Sequence, residues 1–132
     1  MKILQISKNV FDYYRNNVKG NENTSSEQIQ RKLTRNMLLA HKVDSTGYHG
    51  QMYQYGCLWF VVNKRGKVTW IKNGCFPPTN WKLDTKRYIE LNRDLGIKDD
   101  ITYVELKWKS FKINIKKRIK TLKFKYKKKL IH

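Results

Sequence analysis

His41, Lys42, Tyr48, His49 and Tyr53 stand close together in the chain. They are the kinds of side chain that metal-independent cleavage of RNA requires: a base for the 2′-hydroxyl, an acid for the leaving oxygen, and a cation for the charge that develops on phosphorus. If the polar connection 41–50 folds the two histidines together, these five residues form a toxin-type endoribonuclease site. Histidines in such a connection also serve as solvent-facing groups or as simple contacts to nucleic acid, so the catalytic reading competes with a binding one. A second catalytic set is Glu105 and Lys107 on an alternating segment 103–108, with Asp84 or Asp100 available to complete a magnesium site. In a chain this rich in lysine, Glu-x-Lys arises readily by chance. There is no Gly-rich phosphate loop, zinc-ligand spacing or serine elbow, which removes nucleotide hydrolysis, zinc-finger and serine-hydrolase chemistry from consideration. The favoured reading calls for no cofactor and no metal.

Charge carries more information than the catalytic groups do. The 132 residues hold 29 Lys and Arg against 10 Asp and Glu, a net charge of +19. A small domain stays soluble with a net charge of about 2 to 8, so a field of this size points to a polyanion: nucleic acid first, an anionic membrane surface second, and acidic protein surfaces third. The cations are concentrated toward the carboxyl end. Residues 1–100 carry 17 basic and 9 acidic side chains, whereas 101–132 carry 12 basic residues and Glu105 alone.

Within 110–130 the apolar residues recur at spacings of three and four, as on one side of an amphipathic helix. Its polar side then presents Lys112, Lys116, Lys120, Lys123 and Lys127, reinforced by Lys117, Arg118 and Lys128. Ammonium groups one helical turn apart lie about 5 to 6 Å from each other, close to a phosphate repeat. The dominance of Lys over Arg favours backbone contact over bidentate base reading. The same helix could lie on anionic lipid, but the segment has few aromatic anchors and no lipidation signal. A second basic cluster, Lys64, Arg65 and Lys67, sits where a turn is expected, and Tyr48, Tyr53, Tyr55 and Trp81 lie near further cations. Aromatic faces beside cations suit unpaired bases and their phosphates.

The elements that must position these groups are built around 52–73. Aromatic and β-branched residues alternate there in a β-hairpin. One long strand runs to Val62, 63–66 forms the turn with Gly66 taking a positive φ, and 68–72 is the return strand. On this alternation Tyr53, Tyr55, Cys57, Trp59 and Val61 share one face. Trp59 and Trp70 are expected in the core, and so is Cys57. With Cys57 and Cys75 the only cysteines, free thiols and an intracellular setting are expected. The Cys57–Cys75 pair could be bridged only if the strands slipped in register.

Before the hairpin, a short strand or turn leads into a helix capped by Ser7 and ending near Val18. A second helix, opened by the capping box 25–28, runs to about Lys42. Its apolar side carries Ile29, Leu33 and Met37, which leaves Arg31, Lys32 and Arg35 for solvent. Pro77 and Pro78 exclude regular structure after the hairpin. Asp84 or Thr85 caps a third helix that Gly96 stops. A further strand is expected over 101–108.

The chain therefore reads as an α+β domain. A small antiparallel sheet built on the central hairpin is packed by two N-terminal helices and a later one, with residues 1–100 as the core and 101–132 as a basic segment packed on it. The function that fits is nucleic-acid binding, RNA favoured over DNA, in a ribonucleoprotein or a mobile element. No apolar run approaches the roughly 20 residues of a membrane span, and the amino terminus lacks the apolar run and cleavage site of a secretory signal.

Overall fold

The computed structural model describes residues 2–44 and 49–98, which form an α+β fold. In chain order the elements are β1 (Gln5–Ile6), α1 (Lys8–Asn17), α2 (Ser26–Leu39), β2 (His41–Val43), β3 (Gln51–Tyr55), β4 (Leu58–Val62), β5 (Lys67–Lys72) and α3 (Thr85–Asp94). The strands make one sheet in the order β1-β5-β4-β3-β2. The expected strand over 101–108 and the basic helix over 110–130 lie outside the described residues.

The helix boundaries follow from their caps. The Ser7 hydroxyl accepts from the Val10 N–H, Ser25 from Gln28 and the Asp84 carboxylate from Arg87, each satisfying an N–H that lacks a partner in the first turn. Gln28 donates its side-chain amide to the Gly96 carbonyl at 3.1 Å. That bond ties the start of α2 to the end of α3. Gly96 adopts φ +67, the left-handed geometry that ends a helix cheaply only with glycine.

Three features of the sheet differ from the sequence expectation. First, the long first strand is two strands. Gly56 takes φ +58 and, with Cys57, makes a two-residue turn closed by the Tyr55–Leu58 pair. A positive φ at the first central position is what a type II′ hairpin turn needs. The turn inverts the expected faces: Tyr53 and Tyr55 now join Leu58, Phe60 and Val62, while Trp59 and Val61 take the opposite side. Cys57 becomes an exposed turn residue instead of core filler.

Second, the sheet is mixed and not wholly antiparallel. β1 runs parallel to β5, pairing Gln5 with Lys67 and Ile6 with Val68. It is pinned to α2 by the Leu4 N–H donating to Thr34 Oγ1 at 2.9 Å and by Gln30 Nε2 donating to the Leu4 carbonyl at 3.2 Å. Third, the beginning of the expected loop 41–50 is a strand: β2 pairs antiparallel with β3, placing His41 opposite Gln54 and Val43 opposite Met52.

The main core lies between the sheet and α1 and α2. Leu4, Val10, Tyr14, Ile29 and Leu33 meet Leu58, Phe60, Val62 and Val68 there. A second cluster, Leu91, Leu95 and Ile97, gathers against Leu39. α2 therefore has a layer on each side, because the main packing partner of α3 is α2. This overturns the expectation that Lys32 and Arg35 face water. Both are buried, as are Thr34 and Asn36.

Their polar ends are placed by hydrogen bonds. Lys32 Nζ donates to Asn21 Oδ1 at 2.6 Å. Arg35 donates to Asn36 Oδ1, to the Tyr88 hydroxyl at 3.1 Å and to Asn92 Oδ1 at 2.9 Å, with its guanidinium 4.4 Å from the centre of the Tyr88 ring. A buried guanidinium must have such acceptors, since removing its water without replacing the hydrogen bonds costs several kcal/mol. Arg31 is half-buried. It donates to the Leu95 carbonyl at 3.2 Å and pairs with Glu27 at 2.6 Å.

Candidate nucleic-acid interface

The β4–β5 turn brings together Lys64, Arg65 and Lys67, and all three are exposed. Asn63 builds the turn around them. Its side-chain Oδ1 accepts from the Arg65 N–H at 3.0 Å and the Lys67 N–H at 2.9 Å, while its backbone N–H donates to the Lys67 carbonyl at 2.9 Å. Gly66, at φ +80, donates its N–H to the Asn63 carbonyl at 3.0 Å and accepts from the Gln5 N–H at 2.9 Å. A turn with its backbone groups satisfied in this way holds its side chains on a defined base. Lys2 runs beside it: a Cβ added at Gly66 would meet Lys2 Cε at 3.6 Å. Lys2 is a fourth cation at the tip, brought there by the parallel β1 pairing that local sequence patterns do not reveal.

The sheet that carries this tip is free of carboxylates. None of the five strands contains Asp or Glu, and there is none between Asp44 and Asp84. The acids of the described region lie on α1, α2 and α3 and in the connections, where Glu27 pairs with Arg31, Glu90 with Arg87 and Asp94 with Arg93. Among the described residues no ion pair involves Lys64, Arg65 or Lys67. Cations without nearby counter-charge keep their full field for an external polyanion.

The groups proposed for catalysis are placed differently. His41, exposed, sits opposite Gln54, toward the end of β3. His49, also exposed and at φ +52, precedes Gly50 at the other end of β3. At about 3.3 Å per residue the three steps from Gln51 to Gln54 alone separate the two ends by roughly 10 Å. Through the β2–β3 register the structure therefore spreads the histidines apart. Lys42 is brought opposite Tyr53, whose ring stacks on Phe60 with centroids 5.6 Å apart. Burial pushes the Tyr53 hydroxyl above the ordinary tyrosine range, which opposes its ionisation. Tyr48 lies outside the described residues.

The magnesium set is also dispersed. Asp84 is occupied in capping α3, accepting from the Arg87 N–H at 3.1 Å. Asp100, Glu105 and Lys107 lie outside the described residues. Among the described residues no three His, Cys, Asp or Glu side chains gather as metal ligands. The tail cations Lys112, Lys116, Lys117, Arg118, Lys120, Lys123, Lys127 and Lys128 are likewise outside the described residues.

The aromatic rings divide between interior and surface. Tyr53 and Tyr55 are spent on packing, the latter edge-on against Trp81 at 5.6 Å, and Trp81 Nε1 donates to the Leu39 carbonyl at 3.0 Å. Trp59 and Trp70, expected in the core, are half-buried. The ring that sequence reasoning passed over is Phe76, which is 88% exposed. Its signal was its place before Pro77 and Pro78, where neither helix nor central strand could carry it inward. Among the described residues no helix is long and apolar enough to cross a membrane.

The family model of YorE matches residues 4–94. The chain is also 38% identical, over 106 residues, to the SPbeta prophage-derived uncharacterized protein YorE of Bacillus subtilis (strain 168), a match covering 75% of this chain and 86% of the relative. No solved structure matches the chain.

Proposed function

The chain belongs to the YorE family, and we propose from its charge distribution that it binds nucleic acid, RNA in preference to DNA, holding the phosphate backbone with lysines. The observation that carries this reading is the segregation of charge. A five-stranded sheet without a single carboxylate ends in an ordered turn bearing Lys64, Arg65 and Lys67, and the chain beyond residue 100 adds 12 cations against one acid. Contact with a polyanion uses that segregation, since each neutralised phosphate releases condensed counterions. The excess of Lys over Arg favours grip on the backbone over base-edge reading. The prophage origin of the relative supports the setting of a mobile element, acting inside the cell, where Cys57 and Cys75 persist as thiols.

The test is a retention titration of the purified chain against unstructured single-stranded RNA, hairpin RNA and duplex DNA at two salt concentrations. Retention of RNA that weakens steeply with salt, with a logarithmic slope of at least about −3, is the expected result. Retention that is weak and indifferent to salt would end the proposal. Cleavage of the RNA without metal, lost in His49→Ala, would replace binding by catalysis. Competition by anionic but not neutral liposomes would move the partner to a membrane surface.

A further inference from the structure

At the end of β5 away from the cationic turn, the connection 73–83 runs past the β3–β4 turn without regular structure, fastened at several points. The Asn73 N–H donates to the Tyr13 hydroxyl at 2.8 Å, and its side-chain amide donates to the Asn17 carbonyl at 2.7 Å. The Cys75 N–H donates to the Cys57 carbonyl at 3.0 Å, the Trp81 N–H to Pro78 at 3.3 Å, and the Trp81 indole to Leu39 at 3.0 Å. Two consecutive prolines restrict the backbone between these points. The result is a fixed loop that holds Phe76 out in solvent, 88% exposed.

A phenyl ring so exposed on a fixed backbone gains little for the fold, since burial is what makes an aromatic ring stabilising. Its neighbours indicate what it would meet. Lys72 and Lys82 flank the loop, both exposed, and no carboxylate occurs between them. The other exposed large apolar residues, Ile3, Leu38 and Ile89, lie on other elements. A protein partner needs a contiguous surface of roughly 800 Å² per side with several apolar anchors. A single ring on a loop whose two ends carry exposed lysines suits instead an arrangement in which a base stacks on the aromatic face while ammonium groups take neighbouring phosphates.

We propose that Phe76 is a stacking platform for an unpaired base, with Lys72 and Lys82 as its phosphate contacts, so that the ligand is single-stranded. This rests on the nucleic-acid reading above. β5 separates Lys67 at the tip from Lys72, where the loop begins, by roughly 17 Å, five steps of about 3.3 Å. A strand gripped at the tip therefore continues along the sheet to reach the ring.

The experiment uses the full chain and Phe76→Ala and Phe76→Trp, each titrated with a labelled 20-nucleotide RNA of unstructured sequence and with the duplex of that sequence. Phe76→Ala should weaken single-strand binding by about 5- to 150-fold, the equivalent of roughly 1 to 3 kcal/mol for one stacked base. Duplex binding should stay within about twofold, because paired bases offer no free face, and the salt slope should be unchanged, because no ion contact is lost. Phe76→Trp should bind the single strand as tightly as the parent or more so. If the parent binds RNA and Phe76→Ala binds it equally well, or if single-strand and duplex affinities fall together, the platform is overturned and the binding reading stands. If the parent retains neither ligand, both fall.

Discussion

Arg35 and Arg65 are the same residue thirty positions apart, and the fold uses them in opposite ways. Arg35 is enclosed between α2 and α3, with its N–H groups on Asn36, Tyr88 and Asn92 and its plane against the Tyr88 ring. Arg65 stands in water on a turn whose hydrogen bonds come from Asn63, not from the guanidinium. Lys32 and Lys64 repeat the contrast: one ammonium is buried on Asn21, the other exposed. A chain with net charge +19 thus contains cations that the fold encloses and cations that it leaves in solvent. Only the second kind is evidence about function.

The contrast breaks most visibly at Arg35. Arg35→Ala should lower the unfolding free energy by about 3 to 5 kcal/mol, because several buried acceptors lose their donor at once. Urea titration followed by far-UV circular dichroism measures this. The combined Lys64→Ala, Arg65→Ala and Lys67→Ala variant should unfold within about 0.5 kcal/mol of the parent. A stable Arg35→Ala protein with weakened RNA binding would mean that the α2–α3 layer, not the turn, is the ligand surface.

The triple variant supplies the next effect. Its affinity for RNA should fall on the order of 100-fold at 0.1 M salt, and its logarithmic salt slope should shrink by about 2, three phosphate contacts at about 0.7 each for a single strand. An unchanged slope would show that these cations meet no phosphate. Asn63→Ala separates placement of the cations from their charge. It leaves every cation in place but removes the acceptor for the Arg65 and Lys67 N–H groups. A cost of about 1 kcal/mol in stability and a smaller loss of affinity, with the salt slope kept, is the expected outcome.

The turn is legible in the sequence and the buried layer is not, for a physical reason. Caps and turns are local: Ser7, Ser25, Asp84, Gly96 and the 63–66 turn involve residues within a few positions of each other, so type and spacing suffice. Whether Arg35 faces water depends on α3, some fifty residues later, and Lys32 is met by Asn21 from the connection before α2. A polar helical side covered by Tyr88 and Asn92 looks the same in sequence as one covered by solvent. Gly56 failed differently. A glycine inside an alternating run can be a strand residue or a turn, and taking it as the former inverted the expected faces of Tyr53 and Tyr55 relative to Trp59. β1 and β2, with two and three residues, are too short to show a period. Of the candidate interface, the cationic turn was legible. Lys2 was not, since it arrives by a long-range parallel pairing, and Phe76 was legible only through Pro77 and Pro78, which bar helix and central strand beside it.

The smallest effect tests whether the aromatic residues of β3 are truly withdrawn from any ligand. Burial holds the Tyr53 hydroxyl in its neutral form, so its folded pKa lies above the unfolded value of about 10. Below pH 10 the hydroxyl is protonated in both states, and the stability linked to it is fully present. As the pH rises through 10 the unfolded chain releases this proton first, and stability falls until the folded value is passed. Tyr53→Phe abolishes that linkage while leaving every lysine to titrate as before. Urea unfolding at pH 8.5 and 10.5 should therefore show a steeper loss for the parent than for Tyr53→Phe. Equal losses would mean that the hydroxyl is hydrated like a free tyrosine. It would then be open to a substrate beside Lys42, and catalysis at that strand pair would again compete with binding at the turn.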